Sequence, residues 1–193
     1  MNYKLSLRIY SFIIIAISFF FLLNLNKGLD FSDESFHLLR SLYPLDEIGR
    51  LSNFGYLNFV VLENTNYNLY ILKIFGFILL FSSNLYLAKG FFNLVEKKNF
   101  SDFTFLYLIT IFSFAGTLSY YYLWLPTPSY NLYNLVGILF FFGGIIRIWE
   151  SIDIKYNIQI TFIIILAGFL SFISKVPSVL LLFFLFFFFV VFL

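Results

Sequence analysis

Six stretches of the chain carry almost unbroken apolar side chains, separated by shorter polar segments. They run approximately Ile9–Leu25, Leu69–Ala88, Phe103–Leu125, Leu132–Ile148, Ile158–Ile173 and from Pro177 onward. Each is near the roughly 20 residues that carry a helix across the hydrocarbon layer, with about 17–25 tolerated. Runs of this length exclude ordinary strands, and no period-two alternation marks a barrel. The pattern predicts an all-α fold, a polytopic transmembrane helical bundle of about six spans.

Between the first two runs lies the longest polar stretch, Asn26–Asn68, and LDFSDESFHLLRSLYP is its densest part. Gly28 gives a flexible exit from the first span, and Ser32 suits an N-cap. A helix starting there puts Asp33 and Glu34 in its first turn, where the macrodipole favours anions. Asp33, His37 and Arg40 then share one face by spacing, and Phe36, Leu39 and Tyr43 another. Pro44 ends the segment. Such a helix is expected to lie along the membrane surface, apolar side down and charges toward a cavity. Phe54, Leu57 and Val61 repeat the spacing and predict a second interfacial helix before the second span.

Composition supports the membrane reading. Hydrophobic residues make up 61% of the 193 and charged residues 11%, against about 45–50% and about 25% in soluble domains. Mean hydropathy is +0.92. Too little polar surface remains to cover a globule in water, which excludes a soluble enzyme, a disordered chain and a nucleic-acid partner. The 31 Phe residues read as lipid-facing bulk. The absence of Cys excludes disulfides, thiolate metal sites and a Cys nucleophile. The first apolar run lacks a small-residue cleavage site and reads as a retained anchor. The chain ends inside PSVLLLFFLFFFFVVFL with no charged flank, so residues 1–193 are expected to be the N-terminal part of a longer protein, a natural end at Leu193 remaining open.

Orientation follows from the basic residues. Lys4, Arg8, Lys89, Lys97, Lys98, Arg147 and Lys155 share one side; Lys27, Arg40, Arg50 and Lys175 lie opposite, with Lys73 just inside that opposite end. The larger group marks the cytoplasm, so the N-terminus is expected inside and the 26–68 loop outside. That loop carries Asp30, Asp33, Glu34, Asp46, Glu47 and Glu63, six of the ten acids.

Each candidate residue has two readings. Asp33 and Glu34 are either exposed helix-start acids or a general base, or metal-linked carboxylate, within reach of a lipid headgroup. His37 is a helix-stabilising side chain or a ligand, and Asp46 and Glu47 form a solvated run. Pro126 and Pro128 force a turn. Around it, Tyr120, Tyr121, Tyr122, Trp124 and Tyr130 suit an interfacial aromatic belt; alternatively Tyr130, Asn131 and Asn134 line a headgroup or sugar pocket. Lys175 either snorkels to the interface or binds a phosphate. Lys73 carries the same two readings, a snorkelling cation first and a phosphate ligand second, and Arg147 and Lys155 read as topology signals.

A first span, an outward loop with an Asp-Glu pair close behind it, and an interfacial helix together resemble the GT-C superfamily of polytopic glycosyltransferases. That superfamily includes the protein O-mannosyltransferases and lipid A aminoarabinose transferases (glycosyltransferase family 39-like). The likeness rests on Asp33 and Glu34 in LDFSDESFHLLRSLYP, on LPTPSYNLYN in the second outer loop and on FISKVPS in the third.

The resemblance implies sugar transfer, with inversion, from a polyprenyl-phosphate-linked donor to a lipid, glycan or protein acceptor at the outer face of a bacterial inner membrane. Asp33 carries over as general base or metal ligand, with Glu34 beside it. His37, Arg40, Tyr130, Asn131 and Lys175 become candidates for substrate binding, Lys175 at the donor phosphate. The cofactor is left open, a divalent cation on Asp33 being the candidate. Many members place an acid in the second outer loop, where TPSYNLYN has none. The alternative from another class is a non-catalytic membrane protein, such as a lipid-linked glycan flippase or an assembly subunit. Polar side chains along the spans would mark it, and here they are few.

Overall fold

A computed structural model describes residues 3–24, 33–45, 52–96, 110, 113–118, 127–150 and 158–192. Among them every regular element is a helix and there is no strand. The elements are α1 (Tyr3–Asn24), α2 (Asp33–Leu42), α3 (Phe54–Asn64), α4 (Leu69–Glu96), α5 (Tyr130–Glu150), α6 (Ile158–Ser174) and α7 (Val176–Phe192). Residues 113–118 are also helical.

Five of the expected apolar runs correspond to α1, α4, α5, α6 and α7, and the two loop helices to α2 and α3. α4 continues to Glu96, past the expected end at Ala88. Of the run expected over Phe103–Leu125, only 110 and 113–118 are described. Lys27, Gly28, Asp30, Ser32, Asp46, Glu47, Arg50, Lys97, Lys98, Tyr120–Tyr122, Trp124, Pro126 and Lys155 lie outside the described residues, as do the side chains of Lys4 and Asp33.

Among the described residues two helices are long and apolar enough to cross a membrane, over Leu69–Leu94 and Tyr130–Trp149. Ser11–Phe20, Ile158–Ser174 and Val176–Val191 form shorter apolar stretches. Large apolar side chains stand exposed on α1 (Phe12, Ile15), α6 (Phe162, Ile165) and α7 (Phe183, Phe187).

The core lies where α5 packs between α4 and α6. Tyr133, Val136, Phe140 and Phe141 of α5 meet Leu80 of α4 and Ala167 and Leu170 of α6. A Cβ at Gly137 would sit 2.8 Å from the Ala167 carbonyl oxygen and 2.5 Å from the Ser171 hydroxyl. Only glycine admits so close a helix approach. Gly144 faces Ile164, so α5 and α6 run antiparallel. The Tyr86–Phe140 ring pair at 5.7 Å and Arg147 stacked 3.9 Å over Tyr86 fix the α4–α5 contact. α7 returns along α5, with Phe186 against Phe141 and Phe189 against Trp149.

Candidate functional site

α2 forms because DESFHLLRSL contains neither Gly nor Pro, opens with two acids and closes with Arg40 in its last turn. Its buried stripe is Glu34, His37, Leu38 and Ser41, spaced i, i+3, i+4, i+7. The expected Asp33–His37–Arg40 face divides, His37 turning into the bundle while Arg40 stays out of the buried stripe. Phe36, Leu39 and Tyr43 do share a face, and that face is exposed. Arg40 lies beside it, half-buried, with its guanidinium 4.3 Å over the Phe36 ring.

Glu34 is 1% exposed and Lys73 4%, and their Oε1 and Nζ atoms are 3.1 Å apart. The Thr127 hydroxyl donates to the same carboxylate oxygen. The solvated reading of Glu34 and the snorkelling reading of Lys73 are thereby corrected. An ammonium in an apolar run needs a neighbouring anion once it is buried, and Glu34 supplies one. The pair ties the first turn of α2 to the first turns of α4 and to the segment entering α5.

A second clamp holds the other end of α2. The Ser41 hydroxyl donates to the His37 carbonyl at 2.7 Å. Asn58 of α3 donates from Nδ2 to Ser41 Oγ at 2.9 Å and to the Pro128 carbonyl at 2.8 Å. The Tyr133 hydroxyl donates to Asn58 Oδ1. Both amide donors and the carbonyl of a fully buried Asn are therefore used. α2 and α3 approach closely at Gly55, where a Cβ would stand 2.4 Å from the Arg40 carbonyl oxygen. The expected stripe on α3 shifts by one position: Phe54, Asn58 and Leu62 are buried, whereas Leu57 and Val61 are half-buried.

The His37 ring is enclosed by aromatics, edge-on to Phe54 at 5.3 Å and to Tyr130 at 5.4 Å. Lys175 joins α6 to α7, and its Nζ lies 5.0 Å from the centre of the same Tyr130 ring. The sequence before Pro177 stays helically bonded, Lys175 N–H donating to the Ser171 carbonyl at 2.7 Å and Ser178 N–H to that of Lys175 at 3.0 Å. The Asn53 N–H donates to the Ile173 carbonyl at 2.6 Å, so the start of α3 is anchored beside Lys175.

Three separate connections of the chain thus meet at one end of the bundle. Glu34, His37, Tyr130 and Lys175 are brought into this cluster. Ser129 is buried beneath it, its carbonyl accepting from Tyr133 N–H at 3.1 Å. Asn131 and Asn134 lie half-buried on the first turns of α5, and Asn134 Oδ1 is buried without a hydrogen-bond partner among the described residues. Asp33 contributes the backbone that opens α2. Sequence reasoning missed Thr127, Asn58 and Tyr133, and missed the partner of Lys73. For Lys73 a signal existed, since an ionisable residue inside an apolar run calls for an anion nearby.

The cluster offers a fixed carboxylate–ammonium pair, a half-buried ammonium on an aromatic face, and neutral hydroxyl and amide donors. Among the described residues no group of three or more His, Asp or Glu could hold a metal ion. No family model matches the chain, and no curated protein or solved structure is significantly similar to it.

Proposed function

We propose that the chain is the six-span membrane part of a GT-C-like glycosyltransferase. On this reading it transfers a sugar from a polyprenyl-phosphate-linked donor to an acceptor outside a bacterial inner membrane, with its N-terminus cytoplasmic. One observation carries the proposal: the stretches around Glu34, Thr127–Tyr130 and Ile173–Lys175, distant in sequence, share one buried cluster.

In the proposed reaction the donor phosphate meets Lys175, whose half-buried ammonium is a strong charge-assisted donor to an anion. The Asp33 carboxylate takes the proton from an acceptor hydroxyl. The acceptor oxygen bonds to the anomeric carbon, the bond from that carbon to the phosphate oxygen breaks, and polyprenyl phosphate leaves with inversion. Proton transfer of this kind contributes roughly 10²–10⁴-fold in rate. Glu34 keeps α2 in place through Lys73 and Thr127 and does not move the proton. A divalent cation held by Asp33 stays the candidate cofactor of this reading, and no step here is routed through it.

The test is the donor concentration dependence of sugar transfer by the full-length protein in liposomes. Lys175→Gln should raise the donor concentration for half-maximal rate about 10–150-fold, the loss of about 1.5–3 kcal/mol in a charged hydrogen bond. Lys175→Arg should recover part of it. Superimposable curves for wild type and Lys175→Gln would remove Lys175 from the site.

A further inference from the structure

We infer that Arg147, with Tyr86 and Lys89, forms a site for a phosphate group at the end of the α4–α5 seam remote from the Glu34 cluster. The inference rests on the membrane reading above and is independent of sugar transfer.

The seam can carry a site there because α4 and α5 run parallel. Lys73 and Thr127 share the Glu34 carboxylate near the start of each helix, and Tyr86 packs on Phe140 farther along. Beyond that point the two backbones come close. A Cβ at Gly90 would stand 3.4 Å from the Gly143 carbonyl oxygen, and one at Gly143 would stand 2.6 Å from the Tyr86 ring. With no side chain at Gly143, the Tyr86 ring lies against the α5 backbone. Arg147, one turn on from Gly143, covers that ring, its guanidinium 3.9 Å from the ring centre. The cation is therefore held in the seam, half-buried, rather than extended into water.

A cation so placed calls for an anion. The same rule applies at Lys73, where Glu34 meets it. At Arg147 no carboxylate among the described residues plays that part, and its Nε is buried without a hydrogen-bond partner among them. The Tyr86 hydroxyl, close to that guanidinium, is buried and meets no partner in hydrogen-bonding geometry among the described residues. Stacking uses the face of the guanidinium and leaves its in-plane N–H groups, a fork that matches two phosphate oxygens.

Depth selects the ligand. The apolar stretch Tyr130–Trp149 has 20 residues, about 30 Å at about 1.5 Å per residue, close to a hydrocarbon layer of about 30 Å. Arg147 lies near its end, where headgroup phosphates begin. Lys89 is exposed on α4 a turn beyond Tyr86, and the exposed Trp149 suits the interface on α5. Basic residues gathered between membrane helices at this level recognise anionic headgroups. The phosphodiester of an anionic lipid and free phosphate share this chemistry.

The experiment uses the full chain carrying Trp124→Phe, Trp149→Phe and Leu85→Trp, the new Trp at an exposed position next to Tyr86 in the chain. Liposomes mix phosphatidylcholine with phosphatidylglycerol, bromine being carried on the acyl chains of one lipid or the other. Quenching at position 85 should favour phosphatidylglycerol about fivefold or more. Arg147→Gln should bring the ratio close to one, and Arg147→Lys should keep part of the preference. With the Trp moved to Phe183→Trp, exposed on α7, the ratio should stay near one whichever residue occupies position 147. No preference at position 85, with inorganic phosphate raising the unfolding temperature of wild type and not of Arg147→Gln, would make free phosphate the occupant. No preference and no such rise, or a preference that survives Arg147→Gln, would overturn the site while leaving the membrane reading intact. Absence of quenching at both positions would overturn both.

Discussion

Lys73 Nζ lies 3.1 Å from Glu34 Oε1, and both side chains are buried. One residue belongs to a long apolar helix and the other to a ten-residue helix that packs across its end. Taking two charges out of water is costly, so such a pair persists where each partner compensates the other. Lys73→Met should therefore destabilise the full chain by about 3–5 kcal/mol by stranding the carboxylate. Adding Glu34→Leu should recover most of the loss, since an apolar pair can replace a buried ion pair at little cost. Thermal unfolding in detergent reads both, and a double variant no more stable than Lys73→Met would contradict the pairing.

Asn58 makes a second prediction. Asn58→Leu leaves the Pro128 carbonyl and the Tyr133 hydroxyl without their partner, each buried orphan costing about 1–3 kcal/mol. Tyr133→Phe removes one donor and should cost less than Asn58→Leu. Equal unfolding temperatures for wild type and Asn58→Leu would show that the network carries no stability.

Two glycines in similar helices should answer oppositely to one added methyl group. At Gly55 the new Cβ meets the Arg40 backbone at 2.4 Å, and separating α2 from α3 should cost about 1–3 kcal/mol. At Gly168 nothing lies within 4 Å, so Gly168→Ala should gain up to about 1 kcal/mol in helix propensity. The same unfolding measurement decides, and a Gly55→Ala variant as stable as wild type would contradict the close crossing.

Orientation is tested by thiol labelling, since the chain has no Cys. Asn66→Cys lies on the exposed turn between α3 and α4 and should react with an impermeant reagent added outside intact cells. Asn99→Cys should not. The reverse pattern would invert the assigned orientation. Ser129 makes a poor reporter because its side chain is buried.

The helices were legible because apolar runs of span length and the punctuation by Pro44 and Pro128 carry their own signal. The faces of α2 were harder to read. Spacing grouped Phe36, Leu39 and Tyr43 and set them away from the cavity side, but it could not say that Glu34 and Ser41 would join His37 on the buried side while Arg40 stayed out of it. Where lipid can replace water around a helix, apolar character no longer identifies the buried face. The partners of Lys73 and Asn58 depend on contacts between helices far apart in sequence, which no local pattern encodes. The grouping of Tyr130 and Lys175 followed from loop order, whereas the cation–ring contact between them required the fold.

The central claim, that the Glu34–Lys175 end of the bundle transfers sugar, is tested most directly at Asp33. Transfer of labelled sugar from polyprenyl phosphate should be measured for wild-type and Asp33→Asn full-length protein, at matched expression and saturating donor. Asn keeps the size and the first-turn position while removing the base, so the protein level should be unchanged and the rate should fall by about 10²-fold or more. A well-expressed Asp33→Asn protein that transfers sugar at the wild-type rate would contradict the account.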